Sequence, residues 1–299
     1  MCCFEPRLSL AFPRKKLDPA IAHASYAERR LPLDCISHLR AGGLRLRLQL
    51  IRMYSNITIS VVSHRQASLA TNLIADVKAY CGETLPIILT LNVAEEPTEL
   101  PSGIKVIQNS RPKGFGANHN AAFREAATEY FCVVNPDVRL KMDPFPALLE
   151  ALTDRDVGVA APLVKSPSGT LEDSARRFPT VTRLAAKLFG RSPRLDYETA
   201  SARISPDWVA GMFMLFRSDT YRSMNGFDER YFLYYEDVDL CARLRLSGAK
   251  VIVEPAADVV HDARRASHGN LRHASWHARS ILRYLLSASY RGLRQKRFI

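Results

Sequence analysis

The chain has 299 residues, 47% hydrophobic and 24% charged, which suits one large α/β domain or two small ones. Those figures argue against a disulfide-stapled mini-protein, a disordered chain, a collagen and a coiled coil. The net charge of +12 sits at the ends: residues 1–52 hold ten Lys/Arg against four Asp/Glu, residues 262–299 nine against one, and residues 53–261 only 23 against 25.

Basic ends on a near-neutral body suit a surface held near anionic lipid or an acidic glycan. They do not suit nucleic acid, whose binders interleave Lys/Arg with aromatic residues across a folded face. Cys2, Cys3, Cys35, Cys81, Cys132 and Cys241 form no CxxC pair and have no histidine partners nearby. Neither a disulfide framework nor a zinc site is expected, and the compartment reads as reducing and cytoplasmic. The longest apolar runs, Val157 to Val164 and Trp208 to Phe216, are about half of the roughly 20 residues that cross a bilayer.

In chain order, residues 1–52 lack a hydrophobic period, are interrupted by Pro6, Pro13, Pro19 and Pro32, and have no secretory cleavage pattern. They read as a weakly structured basic extension, with the folded domain beginning at Met53. Ile57 to Val62 is a β-branched strand, and Ala67 to Tyr80 has helical spacing at Leu69, Leu73, Ile74 and Val77. Pro86 to Leu91 and Ile104 to Ile107 read as strands, Gly114 to Ala127 as an alanine-rich helix, and Tyr130 to Val134 as a buried strand ending in Asn135-Pro136-Asp137. A short helix follows near Val181 to Phe189, then one apolar strand from Asp207 to Phe216 that contains Gly211. Gly226 to Tyr235 is an aromatic loop, Glu236 to Leu246 a helix and Lys250 to Val253 a strand. Residues 271–299 read as an amphipathic helix, Leu271 to Leu286, followed by a basic tail. Strands alternating with helices predict right-handed crossovers, a largely parallel sheet and ligands at the carboxyl ends of its strands. With no repeat and no low-complexity linker, residues 53–270 are expected to form one continuous domain.

Three places carry groups capable of chemistry. Asp137 follows a strand, and Pro136 stiffens its turn, so the carboxylate faces the expected crevice and could hold Mg²⁺ or Mn²⁺ bridging a diphosphate. Tyr234-Tyr235-Glu236-Asp237-Val238-Asp239 puts three carboxylates at a helix start. The helix dipole alone favours acids there, but preceding aromatic residues desolvate a carboxylate and raise its pKa toward a general base's range. At most one or two of Glu236, Asp237 and Asp239 can enter a site. His261 ends an apolar strand, where packing is the commoner fate of a histidine. Lys113-Gly114-Phe115-Gly116 lacks the spacing of a dinucleotide fingerprint.

Four stretches in order resemble the inverting family 2 glycosyltransferases of the GT-A fold, especially their bacterial rhamnosyltransferase-like branch. Asn109 to Asn120, containing Gly114-Phe115-Gly116, is similar to N-x-GFG-x-x-N-N, and Asn135-Pro136-Asp137 to a DxD-type metal motif. Gly226 to Arg243 is similar to GFDExFFxYxEDxDLxxR, and His261 followed by Ser267 to H-x-x-x-x-S. The resemblance spans about residues 57–290. It implies a Rossmann-like, mostly parallel sheet flanked by helices, a nucleotide-sugar donor in the N-terminal half, and a glycan or lipid-linked glycan acceptor. It implies a divalent cation at Asp137 with His261 on the metal or phosphate side. Asp237 is the implied base, with Glu236 beside it, and Asn92, Gly114, Gly116, Asn120, Asn135 and Gly211 are the implied substrate contacts. One departure is plain: where the family has V-D-N-x-S after its second strand, this chain has Leu91-Asn92-Val93-Ala94-Glu95. The alternative is a non-catalytic nucleotide-sugar or glycan-binding protein of the same fold. The basic termini add an expectation of peripheral contact with the inner face of a membrane.

Overall fold

The computed structural model describes residues 54–95, 100–191, 195–197, 201–262 and 271–299; the extension at 1–52 and Ser267 lie outside these. In chain order the elements are β1 Ile57–Ser63, α1 Ala67–Cys81, β2 Ile87–Leu91, β3 Ile104–Gln108, α2 Phe115–Arg124, β4 Tyr130–Val134 and β5 Val138–Arg139. They continue as α3 Phe145–Ala151, β6 Val157–Lys165, β7 Ala175–Arg176, α4 Val181–Leu188, β8 Trp208–Val209, β9 Phe213–Arg217 and α5 Ser218–Ser223. The last are α6 Glu236–Leu246, β10 Lys250–His261, α7 Leu271–Leu285 and α8 Ala288–Gln295.

The main sheet has the order β3-β2-β1-β4-β9-β6-β10-β5. Strands β1 to β4 pair in parallel, as do β6 and β10, while β9 and β5 run antiparallel to their neighbours. Ile57, Ile59 and Val61 of β1 point to one face and Thr58 and Ser60 to the other, all of them buried. A strand buried on both faces needs helices on both sides. One side is packed by α1, through Leu73, Ile74 and Val77, and by α3. On the other, Ala122 of α2, Leu240 of α6, Tyr284 of α7 and Tyr290 of α8 share a second core. The mostly parallel sheet therefore stands as its sequence predicts, and loops after its parallel strands gather at one edge.

Three expectations need correction. The apolar run from Asp207 to Phe216 is not one strand: it breaks at Gly211, so that β8 pairs with β7 in a small second sheet while β9 enters the main one. Strand β10 runs past Val253 to His261 because a bulge between Glu254 and Asp258 accommodates Pro255. The basic tail is a helix over most of its length. Ser287 caps α8 by accepting the Tyr290 N–H at 3.0 Å, and Tyr290 and Leu293 are buried. Short α3 and α5 went unread because one or two turns give the helical period too few repeats to register. Among the described residues no helix is long and apolar enough to cross a membrane.

Candidate active site

Asp237 stands in the first turn of α6, half-buried between the buried Glu236 and Val238, with both oxygens held by backbone donors. Gly211 N–H donates to Oδ2 at 3.0 Å and Val238 N–H to Oδ1 at 2.8 Å. Burial raises its pKa, opposed by those two N–H groups and by the Arg176 guanidinium. Burial pushes Glu236 well above the ordinary carboxylate range, and the Asp237 charge pushes the same way; its Oε2 has no partner among the described residues. Of the adjacent pair, Glu236 is therefore held neutral and Asp237 is the carboxylate with support for its charge. The approach to the pair is strained: Tyr234 and Tyr235 both have φ of 70°, a left-handed conformation that disfavours bulky residues. Helix α7 holds them there. Tyr234 OH and His273 Nδ1 are 3.0 Å apart, Ser280 Oγ donates to Leu233 O at 2.9 Å, and the rings of His277 and Tyr284 lie 5.6 and 5.5 Å from Tyr235.

A second group of side chains meets at the carboxyl ends of β4, β6 and β10. His261 Nε2 lies 3.3 Å from Asp137 Oδ2, and His261 Nδ1 lies 2.7 Å from Glu172 Oε2. Burial alone would lower the histidine's pKa, but hydrogen bonds and charges from Asp137 and Glu172 outweigh it and raise the value to about 9. Without a cation, His261 is thus an imidazolium held between two carboxylates. Asp137 Oδ1 is buried without a hydrogen-bond partner among the described residues. Such an orphaned carboxylate oxygen fits a divalent cation, a hard ion that takes oxygen ligands. No group of three or more His, Cys, Asp or Glu side chains converges to hold a metal among the described residues. Asp76 props this turn from α1. It accepts from Arg139 Nε at 2.6 Å, from a second guanidinium nitrogen at 2.8 Å and from Leu140 N–H at 3.0 Å.

The remaining expected substrate contacts make hydrogen bonds and close approaches within the chain. Asn92 Oδ1 accepts from Asn109 Nδ2 and Lys113 N–H at 2.9 and 2.8 Å, while its Nδ2 donates to Lys113 O at 3.0 Å. Asn109 also donates to Asn118 Oδ1 at 2.7 Å. The amide that replaces the family's aspartate therefore ties the loop after β3 to the ends of β2 and α2. Asn120 is likewise turned inward, accepting from Tyr221 OH and Phe227 N–H at 2.7 and 3.0 Å and donating to Phe227 O at 2.8 Å. Gly114 and Gly116 let the aromatic loop approach α2: a Cβ on Gly114 would lie 2.8 Å from Phe232 O, and one on Gly116 2.5 Å from Phe227 Cβ. Gly211 serves Asp237 through its N–H. Asn135 lies in the turn before Asp137, its C=O accepting from Val138 N–H at 3.2 Å. Asp239, the third acid of the α6 start, faces away and binds Arg243 Nε at 2.7 Å and Ser289 Oγ at 2.5 Å. Sequence reading missed Glu172 and Arg176, which belong to no recognised motif and reach the two sites only through β6 and the small sheet.

Comparison with known proteins agrees with this geometry. The family described as glycosyltransferase like family 2 matches residues 88–278. Rhamnosyltransferase WbbL of Escherichia coli is 32% identical over 184 residues, covering 58% of this chain and 70% of that protein. N-acetylglucosaminyl-diphospho-decaprenol L-rhamnosyltransferase of Mycobacterium tuberculosis is 31% identical over 205 residues, covering 65% and 67%. Among solved structures, GalNAc-T7 with UDP, GalNAc and Mn²⁺ superposes at a TM-score of 0.56 with 13% identity, over 72% of this chain and 44% of that one. The mannosyltransferase PcManGT of Pyrobaculum calidifontis with GDP-Man and Mn²⁺ does so at 0.53 with 16% identity, over 87% and 82%. At those identities the two structures speak to fold alone, and the fold is that of GT-A glycosyltransferases.

Proposed function

The chain belongs to glycosyltransferase like family 2 and is a glycosyltransferase, and from that premise we propose that it transfers a sugar from a nucleotide diphosphate sugar to a lipid-linked saccharide by a single inverting displacement. Rhamnose is the proposed sugar, since two relatives carry that name. The observation that carries the mechanism is the pair of sites just described: a half-buried carboxylate held by two backbone N–H groups and, at the carboxyl ends of the strands, an orphaned Asp137 oxygen beside His261. Asp237 takes the proton from the acceptor hydroxyl. The acceptor oxygen forms its bond to the anomeric carbon as the bond from that carbon to the diphosphate breaks, and the nucleoside diphosphate leaves with the electron pair. One displacement inverts the anomeric centre. Asp137 and His261 would hold a divalent cation, Mg²⁺ or Mn²⁺, which supplies charge neutralisation to the departing diphosphate. Glu172, hydrogen-bonded to Nδ1, turns His261 so that Nε2 faces Asp137.

The same reading has the enzyme working at the inner face of a membrane. Leu282 of α7 and Leu286, just past its end, are 60% and 65% exposed, and residues 271–299 contain seven Lys/Arg and no Asp/Glu. Apolar side chains flanked by cations suit an anionic bilayer surface. The test is a thermal-shift screen of dTDP-, UDP- and GDP-sugars with and without Mn²⁺, followed by transfer to a prenyl diphosphate-linked saccharide. A cation-dependent shift with one nucleotide sugar and formation of the inverted glycoside are expected; retention of configuration would refute the single displacement. Flotation with anionic and neutral liposomes checks the membrane reading, and equal recovery on both would refute it.

A further inference from the structure

Near Asp237 lie two cationic side chains and a histidine that the chemistry above does not use. Arg176, at the end of β7, lies with its guanidinium carbon 5.4 Å from the centre of the Trp208 ring. Its Nε donates to Asp173 O at 2.8 Å and sits 3.0 Å from Asp173 Oδ2. Its two terminal nitrogens make no hydrogen bond to any described residue, so the outer fork of the guanidinium is open while the inner edge is fixed. Trp208 belongs to the strand that leads into Gly211, whose N–H holds Asp237, and Arg176 is close enough to act on the Asp237 charge. From α7, His277 reaches the same place, with its ring 5.6 Å from Tyr235. Burial, and after it the charges of Lys187 of α4 and of Arg176, hold the pKa of His277 below its ordinary value, so its ring serves as a neutral hydrogen-bonding group, and Lys187 is exposed with no ion pair among the described residues. Asp173 faces the cluster on one side, through Arg176 Nε, and leaves the other side cationic.

Resting on the proposed function, we infer that Arg176, Lys187 and His277 form an acceptor subsite for an anionic group, a diphosphate ester joined to the sugar whose hydroxyl meets Asp237. The positions fit that order. The reacting hydroxyl lies at Asp237, and the diphosphate meets the open guanidinium fork, a group shaped for two parallel N–H···O bonds to phosphate. Beyond it α4 exposes Val181 and Phe189, at 60% and 76%, on the helix that carries Lys187. An apolar chain leaving the diphosphate thus has exposed apolar side chains to meet. The donor's diphosphate would belong at Asp137 and His261, on the other group of side chains.

The test compares two acceptors: N-acetylglucosamine on a short prenyl diphosphate, and the same sugar on an uncharged octyl group. The readout is the ratio of their kcat/KM values, because Arg176 also faces Asp237 and its loss lowers both. Arg176→Ala is expected to reduce the preference for the diphosphate acceptor by about tenfold to a hundredfold, as loss of charge-assisted hydrogen bonds does. Lys187→Ala should reduce it several-fold with donor KM unchanged. An unchanged ratio in both variants, or a rise in donor KM instead, overturns the subsite. A parent enzyme that transfers to neither acceptor from any nucleotide sugar would defeat the proposed function instead. In that event the subsite is judged by binding: prenyl diphosphate, added with saturating UDP and Mn²⁺, should raise the melting temperature of the parent and not of Arg176→Ala, and equal shifts overturn it.

Discussion

Replacing Asp237 by asparagine separates proton transfer from every other task of the site. The amide keeps the shape and one acceptor oxygen but cannot take a proton. A positioned general base contributes about 10²–10⁴-fold, so the variant should lose that factor in single-turnover transfer, about 3–5.5 kcal/mol of barrier. Stability should change far less. The Gly211 and Val238 N–H groups, at 3.0 and 2.8 Å from the two carboxylate oxygens, cannot both be accepted by an amide; one buried donor is left unpaired, at about 1–3 kcal/mol. Removing a half-buried charge offsets part of that loss. The pH profile adds a second readout. Burial raises the Asp237 pKa, and the base works deprotonated, so transfer should rise with pH through that raised value and level off above it. The stability linkage has the opposite slope. The folded state holds this proton more tightly than the unfolded chain, so the group's contribution is greatest at acid pH and is lost as pH climbs through the raised pKa. Quenched-flow transfer with saturating donor, a calorimetric donor titration and a melting curve measure all three. A rate loss below tenfold, or an acid limb surviving in Asp237→Asn, would refute the assignment.

Glu236→Gln should leave transfer within a few-fold of the parent and melt no lower at neutral pH, since burial already keeps Glu236 uncharged; a loss as large as that of Asp237→Asn would exchange their roles. Gly114→Ala should lower the melting point, by about 1–3 kcal/mol of overpacking, and lower kcat more than donor affinity. Its Cβ would lie 2.8–2.9 Å from backbone atoms of Tyr231 and Phe232, on the loop that leads to Asp237, and unchanged melting and turnover would contradict that packing. Cation binding should release a proton between about pH 7 and 9, because the imidazolium of His261 must deprotonate to ligate, a release visible as a buffer-dependent heat in titration calorimetry with Mn²⁺ and donor. The raised pKa also means that His261 stabilises the cation-free fold fully below about 6.5 and loses that contribution as pH rises through about 9; a flat profile, unchanged by His261→Gln, would count against the bridge.

The sequence made the sheet legible because its strands are buried on both faces and so appear as short apolar runs. The start of α6 was readable from Tyr234-Tyr235-Glu236-Asp237 in the same way. What it did not convey was the direction in which each polar group points. Asn92, Asn109, Asn118 and Asn120 look alike in a motif, yet three of them bind one another around Lys113 and the fourth pins the loop at Phe227. Of the two glycines in the same stretch, Gly114 is where two backbones touch and Gly116 is where the Phe227 side chain packs onto the helix. The deciding contacts of Asn120, Gly114 and Gly116 join segments about a hundred residues apart, those of Asn92 and Asn109 cross between separate loops, and no local pattern encodes either. Gly211 is the sharpest instance. Within an apolar run it reads as a strand residue, but the chain turns there and offers its N–H to a carboxylate 26 positions on.

Tyr234 and Tyr235 tie α7 to the proposed catalytic site and not only to the surface. Two left-handed tyrosines in succession cost about 1–2 kcal/mol each, and such strain persists only where the surroundings enforce it. The enforcing contacts come from one face of α7: His273 on the Tyr234 hydroxyl, Ser280 on the Leu233 carbonyl, and His277 and Tyr284 against the Tyr235 ring. The strained pair sets the first turn of α6, and that turn aims Asp237 at Gly211. The opposite face of α7 carries the exposed Leu282, with Leu286 just past its end, among arginines. A helix with one face on the base loop and the other open to an anionic bilayer would fix the distance between the base and the lipid surface. An acceptor anchored in that surface would then be presented at one depth, with its anionic group at Arg176 and its sugar hydroxyl at Asp237.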